Sequence, residues 1–279
     1  MNDMKKVVED ILNMFNGNMP EITDEWCDEL GSSIATMLKH RLQDNEPRHN
    51  LRLSALGQGD RKLWYSVRPD TPKEELRAET RIKFLYGDII ELVYIALIRL
   101  SGHEVTNEQD EVELEGIKGH IDCKVDGVLV DIKSASSFSF NKFKDEKVQQ
   151  DDPFGYYAQM GAYAEATQSP VGGWFVMDKQ LGKLCFSQAF EAYVPNMRQR
   201  AIDVKAMVKE AQEPRRCAEP VADGKSGNMK LPTICSYCDF KKHCYRDANN
   251  GQGLRTFLYA GAPRFLTTVV KTPNVQEKF

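Results

Sequence analysis

The sequence predicts an α/β fold, a mixed central sheet flanked by helices, with a helical segment before it and a cysteine-bearing segment after it. Three observations carry this. Apolar residues Trp26, Leu30, Ile34, Met37, Leu38 and Leu42 recur at helical steps, Asp126-Gly127 sits between two alternating apolar runs, and the β-rich runs GGWFVMD and LCFSQAF come later. The order is helices, mixed sheet, helices, with no internal repeat or low-complexity tract.

The first 45 residues are expected to be helical, interrupted at Asn16-Gly-Asn-Met-Pro20. A polar linker leads to a short helix over Leu53 to Tyr65. Thr71-Pro72 introduces a long apolar helix over 74–100 that stops before Ser101-Gly102. Strands follow at about 103–115 and in a hairpin over 119–135. A lysine-rich segment then precedes a helix over 153–167. The two β-rich runs meet at a turn near Gln180-Leu-Gly182, and a helix over 191–211 leads into the cysteines. The domain reading is an amino-terminal helical segment (1–50), a core (51–195), a helix with the cysteine segment (196–250) and a tail (251–279).

Asp-Gly between alternating apolar residues is the signature of a type I′ hairpin turn, which needs positive φ at both central positions. If Val125 and Val128 flank it, Cys123 faces Val130, Asp122 faces Asp131 and His120 faces Lys133. Side chains alternate along a strand, so Ile121, Cys123, Val125, Val128, Val130 and Ile132 share a core face. His120, Asp122, Asp131 and Lys133 share the other. Opposed residues have Cβ atoms roughly 4.5 to 5.5 Å apart, and two carboxylates so placed repel unless a proton or cation lies between them. A divalent metal is the natural occupant.

The chain has 279 residues, 41% hydrophobic and 28% charged, enough for one substantial core and incompatible with disorder. Its longest apolar stretch, DIIELVYIALIRL, is broken by Glu91 and is shorter than the ~20 residues of a membrane span. The start MNDMKKVVED has no signal-peptide apolar region, so a cytoplasmic protein is expected. A formal charge of −4 argues against indiscriminate nucleic-acid binding, yet residues 1–48 hold 10 acidic and 5 basic side chains and leave the remainder slightly basic. Clusters at Arg61-Lys62, at Arg77, Arg81 and Lys83, at Lys142, Lys144 and Lys147, and from Arg198 and Arg200 through Lys205 and Lys209 to Arg215-Arg216 are candidates to track phosphates. Seven cysteines in a chain of this length and start suggest thiols, some binding metal, rather than a disulfide scaffold.

Glu91 interrupts an apolar helix, with Gly87 one turn earlier, and a desolvated carboxylate needs a partner. Tyr156, Gln159 and Tyr163 fall on one helix face, where an amide and two phenols could meet a nucleic-acid strand. Together, Gly87-x-x-x-Glu91, Gly119-x-x-Asp122, Asp131-Ile132-Lys133 and Gln159-x-x-x-Tyr163 resemble, in order, the motifs of the RecB-like branch of the PD-(D/E)XK nuclease superfamily, which includes CRISPR-associated and phage-type nucleases. The resemblance extends from about Leu53 to Tyr245 and implies a restriction-endonuclease-like core. It further implies that Glu91, Asp122, Asp131 and the Ile132 carbonyl hold one or two Mg²⁺ or Mn²⁺ ions, with Lys133 beside the attacking water and Tyr156, Gln159 and Tyr163 against substrate. Carboxylate oxygens suit such hard cations.

The cysteines Cys217-x17-Cys235-x2-Cys238-x5-Cys244 resemble, in the last three, the carboxy-terminal cysteines of the iron–sulfur members of that branch. Those members take a fourth cysteine from a segment resembling SALGQGDRKLWY, where this chain has Gly59. Cys217 could complete four thiolates for zinc or a [4Fe–4S] cluster, joining the carboxy-terminal segment to itself. Cys27, Cys123 and Cys185 are expected to be buried apolar residues. The implied activity is a metal-dependent DNA exonuclease of recombination, repair or phage DNA metabolism, with DNA and recombination or replication proteins as partners. A catalytically silent DNA-binding or scaffold protein and a site-specific endonuclease are the alternatives.

Overall fold

The computed structural model describes residues 3–43, 49–260 and 262–278. Residues 44–48, in the stretch read as a polar linker, lie outside them. Helices α1 (Met4–Phe15), α2 (Asp24–Gln43), α3 (Asp60–Ser66) and α4 (Ala78–Leu100) come first. Strands β1 (Val105–Thr106), β2 (Glu111–Leu114), β3 (Ile117–His120), β4 (Cys123–Val125) and β5 (Val128–Ala135) follow. Then come α5 (Ser137–Lys144), α6 (Tyr156–Thr167), β6 (Gly173–Asp178), β7 (Leu184–Gln188) and α7 (Met197–Met207). The last strands are β8 (Val221–Ala222), β9 (Met229–Lys230), β10 (Arg255–Tyr259), β11 (Ala262–Thr268) and β12 (Glu277–Lys278). Contacts divide the chain into two compact units.

The first unit, mainly the amino-terminal helices and residues 77–202, is built on a mixed five-stranded sheet in the order β1-β4-β5-β6-β7. The hairpin register is Val125 with Val128 and Cys123 with Val130, around a turn whose Asp126 and Gly127 both have positive φ. Beyond Val130 the expected register fails. β3 turns away to pair with β2, setting His120 opposite Glu111, while β5 runs parallel to β6 with Asp131 beside Trp174 and Lys133 beside Val176. So Lys133 is not opposite His120, and the ladder ends before Asp122.

The apolar face of the sheet does enter the core. Cys123, Val125, Val130 and Ile132 pack with Phe175 and Phe186 against Tyr94, Ile95 and Ile98 of α4 and Met4, Val7, Val8, Ile11 and Met14 of α1. The α1 residues recur at three- and four-residue steps, and Asp3 caps the helix by accepting from the Lys5 N–H at 3.1 Å. On the other face Trp174 stacks edge-on against Phe143 of α5 and Tyr157 of α6. α5 occupies the lysine-rich segment in which no helix was foreseen. The helix expected over 191–211 is shorter, Met197–Met207, with a 3-10 turn at Glu191–Tyr193 before it.

The second unit holds α3 and residues 203–278, with an antiparallel sheet in the order β12-β10-β11-β9-β8. Its strands include the stretch read as a tail, since 255–278 contains β10, β11 and β12. The short helix foreseen over 53–65 is a 3-10 turn at Leu53–Ala55 and then α3, separated by Gly57 and Gly59. No helix among the described residues is long and apolar enough to cross a membrane.

One close approach fixes the parallel crossing. A Cβ on Gly172, just before β6, would lie 1.6 Å from the Leu129 carbonyl oxygen. Gly172→Ala should therefore destabilise the protein by about 3 kcal/mol, the upper end of overpacking costs, as read by chemical denaturation. An unchanged midpoint would contradict the approach.

Candidate active site

β5 carries the site because it passes from hairpin to sheet centre. Alternation sends Ile132 into the core and Asp131 and Lys133 to the face covered by α6. Asp131 is 1% exposed. Lys133 Nζ lies 2.6 Å from its Oδ2, and Gln159 Nε2 of α6 donates to its Oδ1 at 2.9 Å. Lys133 Nζ also donates to Gln159 Oε1 at 3.3 Å, and Gln159 donates to the Tyr163 hydroxyl at 3.5 Å. The Tyr156 ring centroid is 5.4 Å from Lys133 Nζ. Gly119 makes room for this face of α6: a Cβ there would stand 2.8 Å from Leu53 Cβ and 3.2 Å from the Tyr163 ring.

Asp122 lies just outside the ladder, where its Oδ2 accepts the Ile132 N–H at 2.6 Å. It is thus fastened to the strand that bears Asp131, although the two are not the directly opposed pair that the hairpin register suggested. Glu91 comes from α4 and accepts from Gln109 Nε2 at 2.6 Å. Every carboxylate expected in the site is in mutual electrostatic reach.

Their protonation follows from burial. Desolvation, reinforced by the charges of Asp131 and Asp88, raises Glu91 to about 7. Burial, then Asp131 and Glu91, push Asp122 well above the usual aspartate range. Burial also raises Asp131, against the pull of Lys133. For Lys133, burial opposes the charge, but Asp131 and Asp122 outweigh it and hold the ammonium protonated. One buried carboxylate, Asp131, and two half-buried ones, Glu91 and Asp122, share one lysine, and the imbalance favours a further cation.

The donor set, all oxygen and acidic, is the kind that Mg²⁺ and Mn²⁺ prefer. Among the described residues, however, no three His, Cys, Asp or Glu side chains stand as a finished metal cage. The oxygens are held by Lys133, Gln159, Gln109 and the Ile132 N–H instead. Two contributors escaped the sequence reading. Asp88, one turn before Glu91, is held by Arg41 Nη2 at 2.8 Å, and Gln109 lies in a loop with positive φ. Helical spacing from Glu91 would have found the first, whereas no local signal marks the second.

The second unit presents a separate constellation. Cys217, Cys235, Cys238 and Cys244 line one cavity with Gly59, Arg61, Lys62, Tyr65 and Lys241. Arg61 Nη1 donates to Cys244 Sγ and the Tyr245 hydroxyl to Cys235 Sγ, each at 3.7 Å. Burial raises the thiols of Cys235, Cys238 and Cys244, Cys238 to about 11, while Tyr245 relieves Cys235 and Arg61 relieves Cys244. The four thiols of the sequence reading are therefore neighbours, but α3 shares their cavity, so the carboxy-terminal segment does not enclose it alone. A Cβ on Gly59 would stand 2.3 Å from Cys217 Sγ. Of the remaining cysteines, Cys123 is buried and Cys185 half-buried, but Cys27 is exposed, contrary to expectation, because α2 buries no residue fully.

No protein-family model and no curated protein sequence matches the chain. Among solved structures, an alkaline exonuclease (LHK-Exo) from Laribacter hongkongensis is 14% identical, covering 67% of this chain and 93% of that one, with a TM-score of 0.36. The same enzyme in complex with dAMP is 16% identical, covering 56% and 93%, with a TM-score of 0.36. SSO0001 is 15% identical, covering 76% and 91%, with a TM-score of 0.39. These are distant, partial superpositions.

The carboxylates yield a pH prediction. A carboxyl raised to about 7 in the folded state contributes stability below its unfolded pKa that is lost as pH rises through 7. Metal-free protein should lose stability between about pH 5 and 8, and Glu91→Gln should flatten that fall, gaining about 1–3 kcal/mol at pH 8. Thermal melts in chelator at both pH values measure it. Parallel profiles would contradict the assignment.

Proposed function

We propose that the chain is a metal-dependent nuclease that hydrolyses DNA phosphodiester bonds, acting from ends as an exonuclease. The observation that carries this is the gathering of Glu91, Asp122 and Asp131 around one protonated lysine, Lys133, on a buried strand. Glu91, Asp122, Asp131 and the Ile132 carbonyl would hold Mg²⁺ or Mn²⁺. Such an ion lowers the pKa of its water and offsets charge on the phosphate.

The chain's own groups divide the remaining work. Asp131 and Asp122 favour the protonated form of Lys133, which suits it to stabilise negative charge growing on the phosphate oxygens. Gln159 fixes both Lys133 and Asp131, which keeps the ammonium aimed along the strand. Half-buried Tyr156 borders that group and offers a ring face and hydroxyl to a sugar or base, whereas Tyr163 is buried and acts through Gln159, whose amide N–H its hydroxyl accepts.

In the second unit we assign the four cysteines to a structural centre of zinc or iron–sulfur type, which fits four thiols sharing one cavity with cationic side chains. The placing of Gly59 supports this. Its φ of −67° and ψ of 149° are open to any residue, so its lack of a side chain answers to Cys217 rather than to the backbone.

Asp131→Asn and Lys133→Gln should each lower the cleavage of end-labelled linear DNA in Mg²⁺ by about 10²- to 10³-fold or more, with circular dichroism unchanged. Closed circular DNA should be spared. Undiminished cleavage by folded Asp131→Asn protein would sink the site assignment, nicked circles would favour an endonuclease, and binding without cleavage a silent DNA-binding protein.

The thiol centre has its own test. Cys217→Ala should lose the metal, and adding Gly59→Cys to that variant should restore it from the adjoining position, as read by elemental analysis and thermal unfolding. Freshly prepared protein without zinc or iron would remove the assignment.

A further inference from the structure

Helix α4 begins well before it reaches the site. From Ala78 to Phe84 every residue but Thr80 is exposed, and at least partial burial is continuous only from Gly87 to Ile98. This overhang is chemically unusual for a helix start. It carries Arg81 and Lys83, follows Arg77, and has a large aromatic, Phe84, that is 56% exposed. None of these three cations has an ion-pair partner among the described residues.

Helical spacing relates the overhang to the chemistry. Thr80, Phe84, Gly87 and Glu91 succeed one another at steps of four, three and four residues, and so form one stripe, with Arg81 beside it and Arg77 as the extended N-cap residue ahead of it. Glu79, the overhang's acidic residue, falls on another side. At about 1.5 Å per residue, Phe84 lies about 10 Å from Glu91 along the axis, Arg81 about 15 Å and Arg77 about 21 Å. Those separations match one to three nucleotides of an extended strand. Arginine provides forked donors for phosphate, and an exposed ring gives a base a face on which to stack.

We propose that the amino-terminal overhang of α4 is the arm that holds the DNA strand being cut, with Arg77 and Arg81 on its phosphates and Phe84 under a base. This rests on the nuclease reading of the site and adds the direction in which the strand leaves it. The positive charge complements DNA and continues the Glu91 face, whereas the chain as a whole is acidic.

The test is binding of fluorescein-labelled single-stranded oligonucleotides of two to twelve nucleotides, by anisotropy in Ca²⁺, which leaves the strand uncut. Arg77→Ala/Arg81→Ala should weaken binding of the longer oligonucleotides by about 10- to 100-fold and lower the slope of log Kd against log salt by about 1.5. Dinucleotides, too short to reach the arm, should bind as to wild type. Phe84→Ala should weaken the longer strands about 10-fold, with little change in salt slope, and Phe84→Trp should restore them. Equal binding by wild type and both variants would overturn the arm, as would variants that alter only self-association. A protein that binds through the arm but cuts nothing would instead refute the nuclease reading.

Discussion

The ion pair between Lys133 and Asp131, 2.6 Å apart on one buried strand, is the constraint around which the first unit is arranged. Asp131 is almost wholly removed from water, and an ionised carboxylate there is tolerable only with a cation and hydrogen-bond donors at hand. Lys133 provides the charge and Gln159 the donor, which fixes the distance of α6 from β5. Breaking such a pair by removing one partner typically costs about 3–5 kcal/mol. A pair of that kind adds little stability by itself, so its presence next to two further, half-buried carboxylates is better explained by chemistry than by folding.

Much of this was legible in the sequence for a simple reason. A strand repeats every two residues, so one recognised turn, Asp126-Gly127, assigns every side chain up to Val130 to a face. Helical spacing likewise placed Gln159 and Tyr163 together, and Glu91 stood out as the one charge breaking an apolar run. What failed was partner choice. β3 leaves the hairpin for β2, and β5 takes β6 in parallel, because the competing strands win at long range, where no local pattern reports them. The strands beyond Arg255 were read as a tail, although β10 and β11 span 5 and 7 residues.

The thiol cavity illustrates the same limit from the other side. The resemblance linked Cys235, Cys238 and Cys244 and set Gly59 at the place of a fourth cysteine, with Cys217 as the residue that could complete the set, but the close approach of Gly59 to Cys217 is a relation that exists only in space. A lone glycine in an ordinary backbone conformation is an ambiguous signal until its neighbour is known.

The central claim is that the three carboxylates form a place for a divalent ion. Because burial raises Glu91 to about 7 and pushes Asp122 in the same direction, binding of such an ion must expel protons. Calorimetric titration of Mn²⁺ into metal-free protein at pH 6.5, in two buffers of different ionisation enthalpy, measures both binding and proton release. The account predicts saturable binding with proton release, abolished in Asp131→Asn. Absence of binding by the folded wild type, or binding without proton release and unchanged in the variant, would contradict it.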